Sequence, residues 1–332
     1  MRRGNERTAS HFSWLSPLWP LLFLILVWAG KELVGERWWL TTWAVYLPQP
    51  LFLIPSLGLA ALALLLRRWR RLAGQVGVAL LGVALLFSGA YRLPRPARRG
   101  DLRVMTWNVM GLGGDPEGVL AMIRHVAPDV LLLQEVRRAR GPDPVPWLEQ
   151  RLPGWHSVHG ADVAIFSPHP LGSAHRFALE PPNLGRVALE VRAQVHGKTV
   201  ELITVHFNTG PPRPAHERAW DHPRRNMEAA AAVRAAQADH LVRIVDAAGR
   251  PLVVGGDFNS PPGSYACRRM TESLRSAFAS AGSGFGWSFP SNHPLLRIDH
   301  LFASEDMAVL NCRVLPTRAS DHCPLVADFA WR

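Results

Sequence analysis

Three apolar stretches within the first 91 residues limit most strongly how this chain can fold. They run over residues 12–30, 43–66 and 72–91, and none contains an Asp or Glu. Each approaches the ~20 residues a helix needs to cross the hydrocarbon of a bilayer. A cleaved signal peptide accounts for the first alone and not for the other two. Trp14, Trp19, Trp38, Trp39 and Trp43 gather at the ends of these stretches, where indoles favour the membrane interface. Residues 1–91 are therefore expected to form a membrane region of about three transmembrane helices. The chain would be a multi-pass protein of a bacterial plasma (inner) membrane, touching the lipid bilayer through this region.

The charge divides along the same boundary. Of the net charge of +11, residues 1–100 carry 13 Lys/Arg against Glu6, Glu32 and Glu36, whereas the remaining 232 residues carry 24 basic and 23 acidic side chains. The basicity thus belongs mainly to the segments flanking the apolar stretches, where arginines anchor spans and meet anionic head groups. The N-terminal tail and the RRWRR loop at 67–71 fall on one side of a three-span arrangement, the expected cytoplasmic side. The chain beyond residue 91 is then extracytoplasmic, although the Pro/Arg linker RLPRPARRG (92–100) adds four arginines on that face.

After the linker, short apolar runs alternate with helical stretches. RVMTWNV (103–109), DVLLLQEV (129–136), DVAIFS (162–167), RVALEVRAQV (186–195), TVELITVHFN (199–208), PLVVGGDFN (251–259), RIDHLFAS (297–304) and PLVADF (324–329) read as strands. Helices are expected near 116–126, with Asp115 as N-cap and Pro116 in the first turn, and near 226–248. The alternation predicts a layered α/β domain over 101–332. Cys267, Cys312 and Cys323 show no CxxC spacing, so ordinary buried thiols are expected rather than a zinc site. Asp162 and Asp328 read as turn or solvent-facing carboxylates, and Ser167 as a turn cap or a support for the site.

Several of these strands end alike, with apolar residues followed by an acid, amide or histidine. Asn108, Glu135, His206, Asp257, Asn259, Asp299, Asp321 and His322 all lie at such ends. If those ends converge, they form one pocket. Hard oxygen ligands with few thiolates suit Mg²⁺ or Mn²⁺, and a neighbouring His–Asp pair suits proton transfer. His300 would point to the opposite strand face from Asp299 and is left out of the set.

The ordered motifs TWNV, LLQEV, VHF, GDFNS, RIDH and SDHCPL resemble those of the endonuclease/exonuclease/phosphatase superfamily, over roughly residues 101–332. The resemblance implies a DNase I-like four-layer α/β sandwich, two packed mixed β-sheets flanked by helices, with the site at one edge. By position it implies that Glu135 is the principal Mg²⁺ ligand, with Asn108 and Asp321 in the same metal environment. Asp257 would orient the attacking water, Asn259 and His206 would donate to phosphoryl oxygens, and Asp299 would orient His322. His322 would serve as general base or, protonated, as a donor. Val205 stands where the family usually shows Thr, which removes a hydroxyl beside His206.

The chemistry so implied is hydrolysis of a phosphodiester or phosphomonoester by an activated water on a membrane-tethered, metal-dependent enzyme. The substrate would be a phosphoester, with membrane lipid head groups and nucleic acid as the main classes. A nuclease acting on DNA or RNA is the alternative. It would draw on Arg213, Arg218, Arg224 and Arg225 in the Pro-rich segment 209–225, since the domain itself is nearly neutral. A scaffold that has lost catalysis is disfavoured because every implied site residue is present. The WSFPSN stretch (287–292) and Trp220 are the segments expected to approach a bilayer.

Overall fold

Proline decides where the apolar helices near the N-terminus break. In the computed structural model, which describes residues 16–87, 91–93, 98–137, 143–210 and 223–332, helix α1 (Leu18–Ala29) continues through tighter and wider turns to Arg37. Helix α2 (Trp39–Tyr46) stops before Pro48, whose ring pushes Leu47 into an extended conformation. The chain resumes as a 3₁₀ turn and α3 (Ile54–Leu65), bent by 107° from α2. Helix α4 (Trp69–Phe87) is uninterrupted.

Among the described residues, Leu18–Arg37 and Trp69–Phe87 are long and apolar enough to cross a membrane, and a third span exists only if the bent pair counts as one. The middle stretch is therefore not the straight helix over 43–66 that its composition predicts, because Pro48 and Pro50 interrupt it. Leu24, Phe52, Leu53, Val78 and Leu86 form a small core within this unit. The basic N-terminal tail, residues 94–97 of the linker, Arg213, Arg218 and Trp220 lie outside the described residues.

The chain divides into two compact units, Met1–Ala90 and Tyr91–Arg332. The second unit contains two mixed six-stranded sheets. In chain order the strands are β1 (Leu102–Asn108), β2 (Val130–Gln134), β3 (His156–Gly160), β4 (Val163–Ser167), β5 (His175–Ala178), β6 (Val187–Val195), β7 (Lys198–His206), β8 (Leu252–Asp257), β9 (Arg275–Ser276), β10 (Asp299–Ala303), β11 (Met307–Val314) and β12 (Leu325–Trp331). One sheet runs β11-β12-β1-β2-β4-β3 and the other β5-β6-β7-β8-β10-β9.

Strand alternation sorts the side chains into layers. Leu102, Val104, Val130 and Leu132 from the first sheet meet Leu189, Val191, Leu202 and Val253 from the second. On the outer face of the first sheet, Met105, Trp107, Leu131 and Leu133 pack against α5 (Pro116–Val126) and α6 (Pro144–Arg151). Ile203, Val205 and Val254 pack on the other side against α7 (Pro223–Ala247) and α8 (Tyr265–Ser273). The result is an α/β/β/α sandwich. Helix α5 starts as expected, with the Asp115 side chain accepting from the Gly118 amide at 2.9 Å. The three cysteines are free and buried.

Asp328 is not a solvent-facing carboxylate. It is fully buried on β12 and paired with Arg103 of β1, whose Nε lies 2.8 Å from Oδ1 and Nη2 3.3 Å from Oδ2. Asn311 donates to its Oδ2 at 2.6 Å. Removing one member of a buried, hydrogen-bonded pair strands the other, which costs about 3–5 kcal/mol. Asp328→Ala should therefore lower the urea midpoint of this unit by that equivalent, and an unchanged midpoint would contradict the pairing.

Candidate active site

A polarity gradient runs along the inter-sheet faces of four strands. Reading every second residue toward the strand end, β1 presents Leu102, Val104, Thr106 and Asn108, and β2 presents Val130, Leu132 and Gln134. Strand β7 presents Val200, Leu202, Thr204 and His206, and β8 presents Val253, Gly255 and Asp257. Gln134 marks the changeover, donating across the sheets to Thr204 Oγ1 at 3.0 Å. Because β1 and β2 are parallel, as are β7 and β8, all four polar ends reach the same edge.

The glycines of β8 make the approach possible. A Cβ at Gly255 would lie 2.7 Å from Leu132 of the facing sheet and 2.6 Å from Leu301, while one at Gly256 would lie 2.0 Å from the Val205 carbonyl oxygen. Side chains at these positions would push apart the strands that carry Asp257 and His206.

Asn108 joins the two sheets at the edge. Its Nδ2 donates at 3.1 Å to Glu135 Oε1 and at 3.1 Å to Asp257 Oδ2. Glu135 follows β2 in a left-handed conformation (φ 55°), uncommon for a residue with a Cβ, and its side chain is 40% exposed. Asp257 is buried, and two imidazoles approach its Oδ2: His206 Nε2 at 3.6 Å and His322 Nε2 at 3.8 Å. Asp299 pairs in register with Asp257 across β10 and β8, and its Oδ2 lies 2.8 Å from His322 Nδ1. Phe289 covers the His322 ring at a centroid distance of 4.7 Å.

Burial alone would favour neutral His322, but the charges of Asp299, Asp257 and Asp321 and the Asp299 hydrogen bond outweigh it, so its pKa is pushed up to about 10.

Asn259 is reached differently from the strand alternation expected of GDFN. Strand β8 ends at Asp257, whose Oδ1 accepts from the Asn259 amide at 2.8 Å, and Asn259 turns left-handed (φ 47°). This aspartate turn, rather than a continuing strand, orients it. Its Nδ2 donates to the Phe207 carbonyl at 2.9 Å.

Asp321 stands somewhat apart. Its Oδ1 lies 3.2 Å from Ser320 Oγ, whose single proton has its shorter acceptor in the Asn108 carbonyl at 2.8 Å. It lines a cavity of about 610 Å³ with Met110, Phe289, Ser291 and Arg318. The stretch 287–292 supplies part of that wall.

Two residues of this edge do not end a strand and escape a search of strand ends. Asp162 Oδ2 lies 2.7 Å from His206 Nδ1, and Arg186 pairs with the same carboxylate. Asp162 is therefore not a free turn carboxylate: it fixes the His206 ring, while Val205 faces the opposite side of β7 with Ile203 and Val254, so the missing hydroxyl is on the far face from His206. Burial would raise its pKa, but the hydrogen bond and charge of His206 and the charge of Arg186 hold it below the ordinary carboxylate range. Its stabilising contribution is thus full above the unfolded pKa of about 4 and is lost as pH falls from there through the lower folded value. Asp162→Asn should flatten the dependence of stability on pH in that acid window, measurable by urea midpoints between pH 5 and pH 3.

The remaining polar residues point elsewhere. Ser167 donates to the Asp129 carbonyl at 2.6 Å as a turn support. Asn208 is the exception: its Nδ2 donates to the Gly210 carbonyl at 2.7 Å, while its Oδ1 accepts from Arg186 Nε at 3.2 Å and so borders the site edge. His300 is buried against Phe258 and Phe302, with Nε2 2.8 Å from the Ser260 carbonyl, and burial pushes its pKa down to about 4.

The edge has the donor set of a cation site. Glu135 and Asp257 converge on one amide nitrogen, while the buried His206 Nε2 and Asp299 Oδ1 have no hydrogen-bond partner among the described residues. Oδ and Nδ or Nε atoms of Asp257, Asp299 and His322 also lie within 4.8 Å of one another. The hard oxygens of Glu135 and Asp257 suit a divalent cation, whereas a protonated His322 has no lone pair to offer it.

Residues 105–322 match the model of the endonuclease/exonuclease/phosphatase family. No curated protein sequence matches the chain. Among solved structures, an endonuclease/exonuclease/phosphatase from Beutenbergia cavernae DSM 12333 is similar at 24% identity and a TM-score of 0.56, covering 70% of this chain and 72% of that one. Its counterpart from Bacteroides vulgatus is similar at 19% identity and 0.57, over 70% and 99%. A mannosyl-6-phosphatase from Bacteroides thetaiotaomicron VPI-5482 is similar at 16% and 0.56, over 69% and 99%. These likenesses show the DNase I-like fold, and the family model covers well over half of the sequence. With its two packed sheets and its buried Asp/His edge, the chain belongs to the endonuclease/exonuclease/phosphatase family.

Proposed function

We propose that this protein is a membrane-tethered, divalent-metal-dependent phosphoesterase that hydrolyses a phosphodiester or phosphomonoester by in-line attack of water. The position of Asp257 carries the proposal: one buried carboxylate lies 3.1 Å from Asn108 and under 4 Å from the Nε2 atoms of His206 and His322. That geometry supports reading Asp257 as a water-orienting acceptor and the two histidines as donors to a phosphoryl group.

Glu135 would hold Mg²⁺ or Mn²⁺, with Asn108 and Asp321 in the same environment. When bound, the cation offsets negative charge on the phosphoryl and leaving oxygens. Asp257 would accept a hydrogen bond from the attacking water, aim it at phosphorus and take its proton as the new P–O bond forms. The ester P–O bond breaks at the same time, and the leaving oxygen takes a proton from His322 or solvent. His206, held by Asp162, donates to a phosphoryl oxygen, as does the Asn259 amide hydrogen not given to Phe207. His322, held by Asp299, enters protonated and donates to the phosphoryl group. Fixed donors of this kind offset charge as it develops, without reorganisation.

The apolar helices support tethering. Leu18, Trp19, Leu65, Trp69 and Leu80 are exposed on α1, α3 and α4, an outward apolar surface that suits lipid rather than water. A tethered hydrolase meets substrates concentrated at the bilayer, which favours lipid head groups. Counting the bent pair as one span, the basic N-terminal tail and the 67–71 loop favour an extracytoplasmic catalytic unit, against the four arginines of the linker. A reporter fused after Arg332 should therefore be active only outside the cytoplasm, and activity confined to the cytoplasm would reverse the placement.

Full-length protein in detergent, supplied with Mg²⁺, should be assayed in parallel on phospholipid vesicles, phosphomonoesters such as sugar phosphates, and plasmid DNA. Release of phosphorylated head group or of phosphate is the expected result. Cleavage of DNA alone would replace this reading with that of a metal-dependent nuclease.

A further inference from the structure

Asp129, His169 and His196 converge at the end of the sandwich remote from the catalytic edge. Asp129 immediately precedes β2, and Glu135 immediately follows it. At about 3.3 Å per residue the two carboxylates are separated by roughly 20 Å of strand. His169 follows β4, and His196 occupies the tip of the β6–β7 hairpin. Two of these residues therefore belong to the first sheet and the third to the second.

Both Nε2 atoms face the same oxygen. His169 Nε2 lies 3.4 Å and His196 Nε2 3.5 Å from Asp129 Oδ1, with the two rings at a centroid distance of 4.7 Å and 73° apart. These separations exceed the ~3.2 Å limit of a good N–H···O bond. They fall close to the edge of a tetrahedron around a zinc ion, about 3.3–3.4 Å when Zn–N and Zn–O are about 2.0–2.1 Å. All three candidate ligand atoms lie within 4.8 Å of one another.

The surroundings hold the ligands in place. Asp129 Oδ2 is occupied by the Arg103 amide at 2.7 Å, which leaves Oδ1 for the histidines. Ser167 Oγ donates to the Asp129 carbonyl at 2.6 Å and accepts from the His169 amide at 3.0 Å, tying the two segments together. His196 and Gly197 take φ values of 50° and 79° in a two-residue turn, which fixes the backbone under the ring. The Arg99 guanidinium is 3.7 Å from Oδ1 on a side chain that is 52% exposed, so it can move into solvent when another cation binds.

We propose that Asp129, His169 and His196 form a Zn²⁺ site that clamps the two sheets together at the end opposite the catalytic edge. Two imidazoles and one carboxylate are a donor set that zinc takes, with water in the fourth position. The site is independent of the hydrolytic centre, which draws on hard oxygens. Ligation across the sheets stabilises the folded state in proportion to zinc occupancy.

The test uses full-length protein in detergent, held in saturating Mg²⁺ and titrated with Zn²⁺ or with Co²⁺ as a spectroscopic probe. Wild type should show the strong visible absorption of four-coordinate Co²⁺ and a Zn²⁺-dependent rise in Tm. His196→Asn keeps a residue that tolerates the left-handed turn, and His169→Gln provides a second variant outside it. Each should lose the Co²⁺ band, weaken Zn²⁺ binding by more than about tenfold and abolish the Tm rise, while Tm without Zn²⁺ or Co²⁺ and Mg²⁺-dependent hydrolysis stay at wild-type values. No four-coordinate band in wild type, or the same band and zinc affinity in both variants, would overturn the proposal.

Discussion

His322→Ala should lower kcat by about 10²–10⁴-fold. Because it strands the buried Asp299 carboxylate, it should also cost stability on the order of 3–5 kcal/mol, so kcat is compared at a temperature where both proteins are folded. The side chain contributes a charged donor as well as the buried partner of Asp299. Its Nδ1 is held 2.8 Å from Asp299, its Nε2 faces Asp257, and Phe289 closes one side of the ring. With its pKa pushed up to about 10 by the surrounding carboxylates, the imidazole is charged at neutral pH. Activity that depends on this proton should persist through neutral pH and fall only as pH rises toward the raised value. The stability linked to the same proton is full below about pH 6.5 and is lost as pH rises through the folded value. A kcat–pH profile of wild type should show the limb, and the residual activity of His322→Ala should lack it. An activity that rises with pH through the same range would make His322 a base instead.

Glu135→Gln should act through the cation. Glutamine keeps the shape of the side chain and can still accept from Asn108 Nδ2, now 3.1 Å from Glu135 Oε1, but it removes the negative charge. The Mg²⁺ concentration for half-maximal activity should rise by about 10–100-fold, and kcat at low Mg²⁺ should fall by at least as much. Excess Mg²⁺ should restore part of the activity of Glu135→Gln and none of that of His322→Ala. That difference separates a ligand from a proton donor. Equal insensitivity of both variants to Mg²⁺ would remove Glu135 from the metal site.

The inner strands are legible in the sequence and the outer ones are not. Strands β1, β2, β7, β8 and β12 lie inside their sheets and read as apolar runs because neighbours cover them. The strands without such a signal, β3, β5, β9 and β11, are the four sheet edges. An edge strand is covered on one side only, and HSVHG and HRFA accordingly carry exposed polar residues. Strand β11 adds a bulge between Val309 and Asn311 that breaks its alternation.

The candidate site obeys the same logic. Asn108, His206 and Asp257 end strands, and Glu135 comes directly after one. Asp162 and Arg186 instead stand just before antiparallel neighbours, β4 and β6, which begin where β2 and β7 end. Asp299 opens β10 in the same way and is legible through its motif rather than its position. The signal that exposes Asp162 is register: Gln134 faces Val163, so the residue before Val163 must lie beside Glu135. In the apolar N-terminal unit, composition carries apolarity but not direction, so the bend at Pro48 and Pro50 reads as a single continuous stretch.

The most direct measurement is hydrolysis of the phosphoester panel by full-length protein stripped with EDTA and then supplied with Mg²⁺, with wild type and His322→Ala side by side. The expected result is turnover of at least one phosphoester that disappears with EDTA, returns with Mg²⁺ and is lost in His322→Ala. Turnover undiminished in His322→Ala, or none by wild type on any phosphoester at saturating Mg²⁺, would contradict the proposed site.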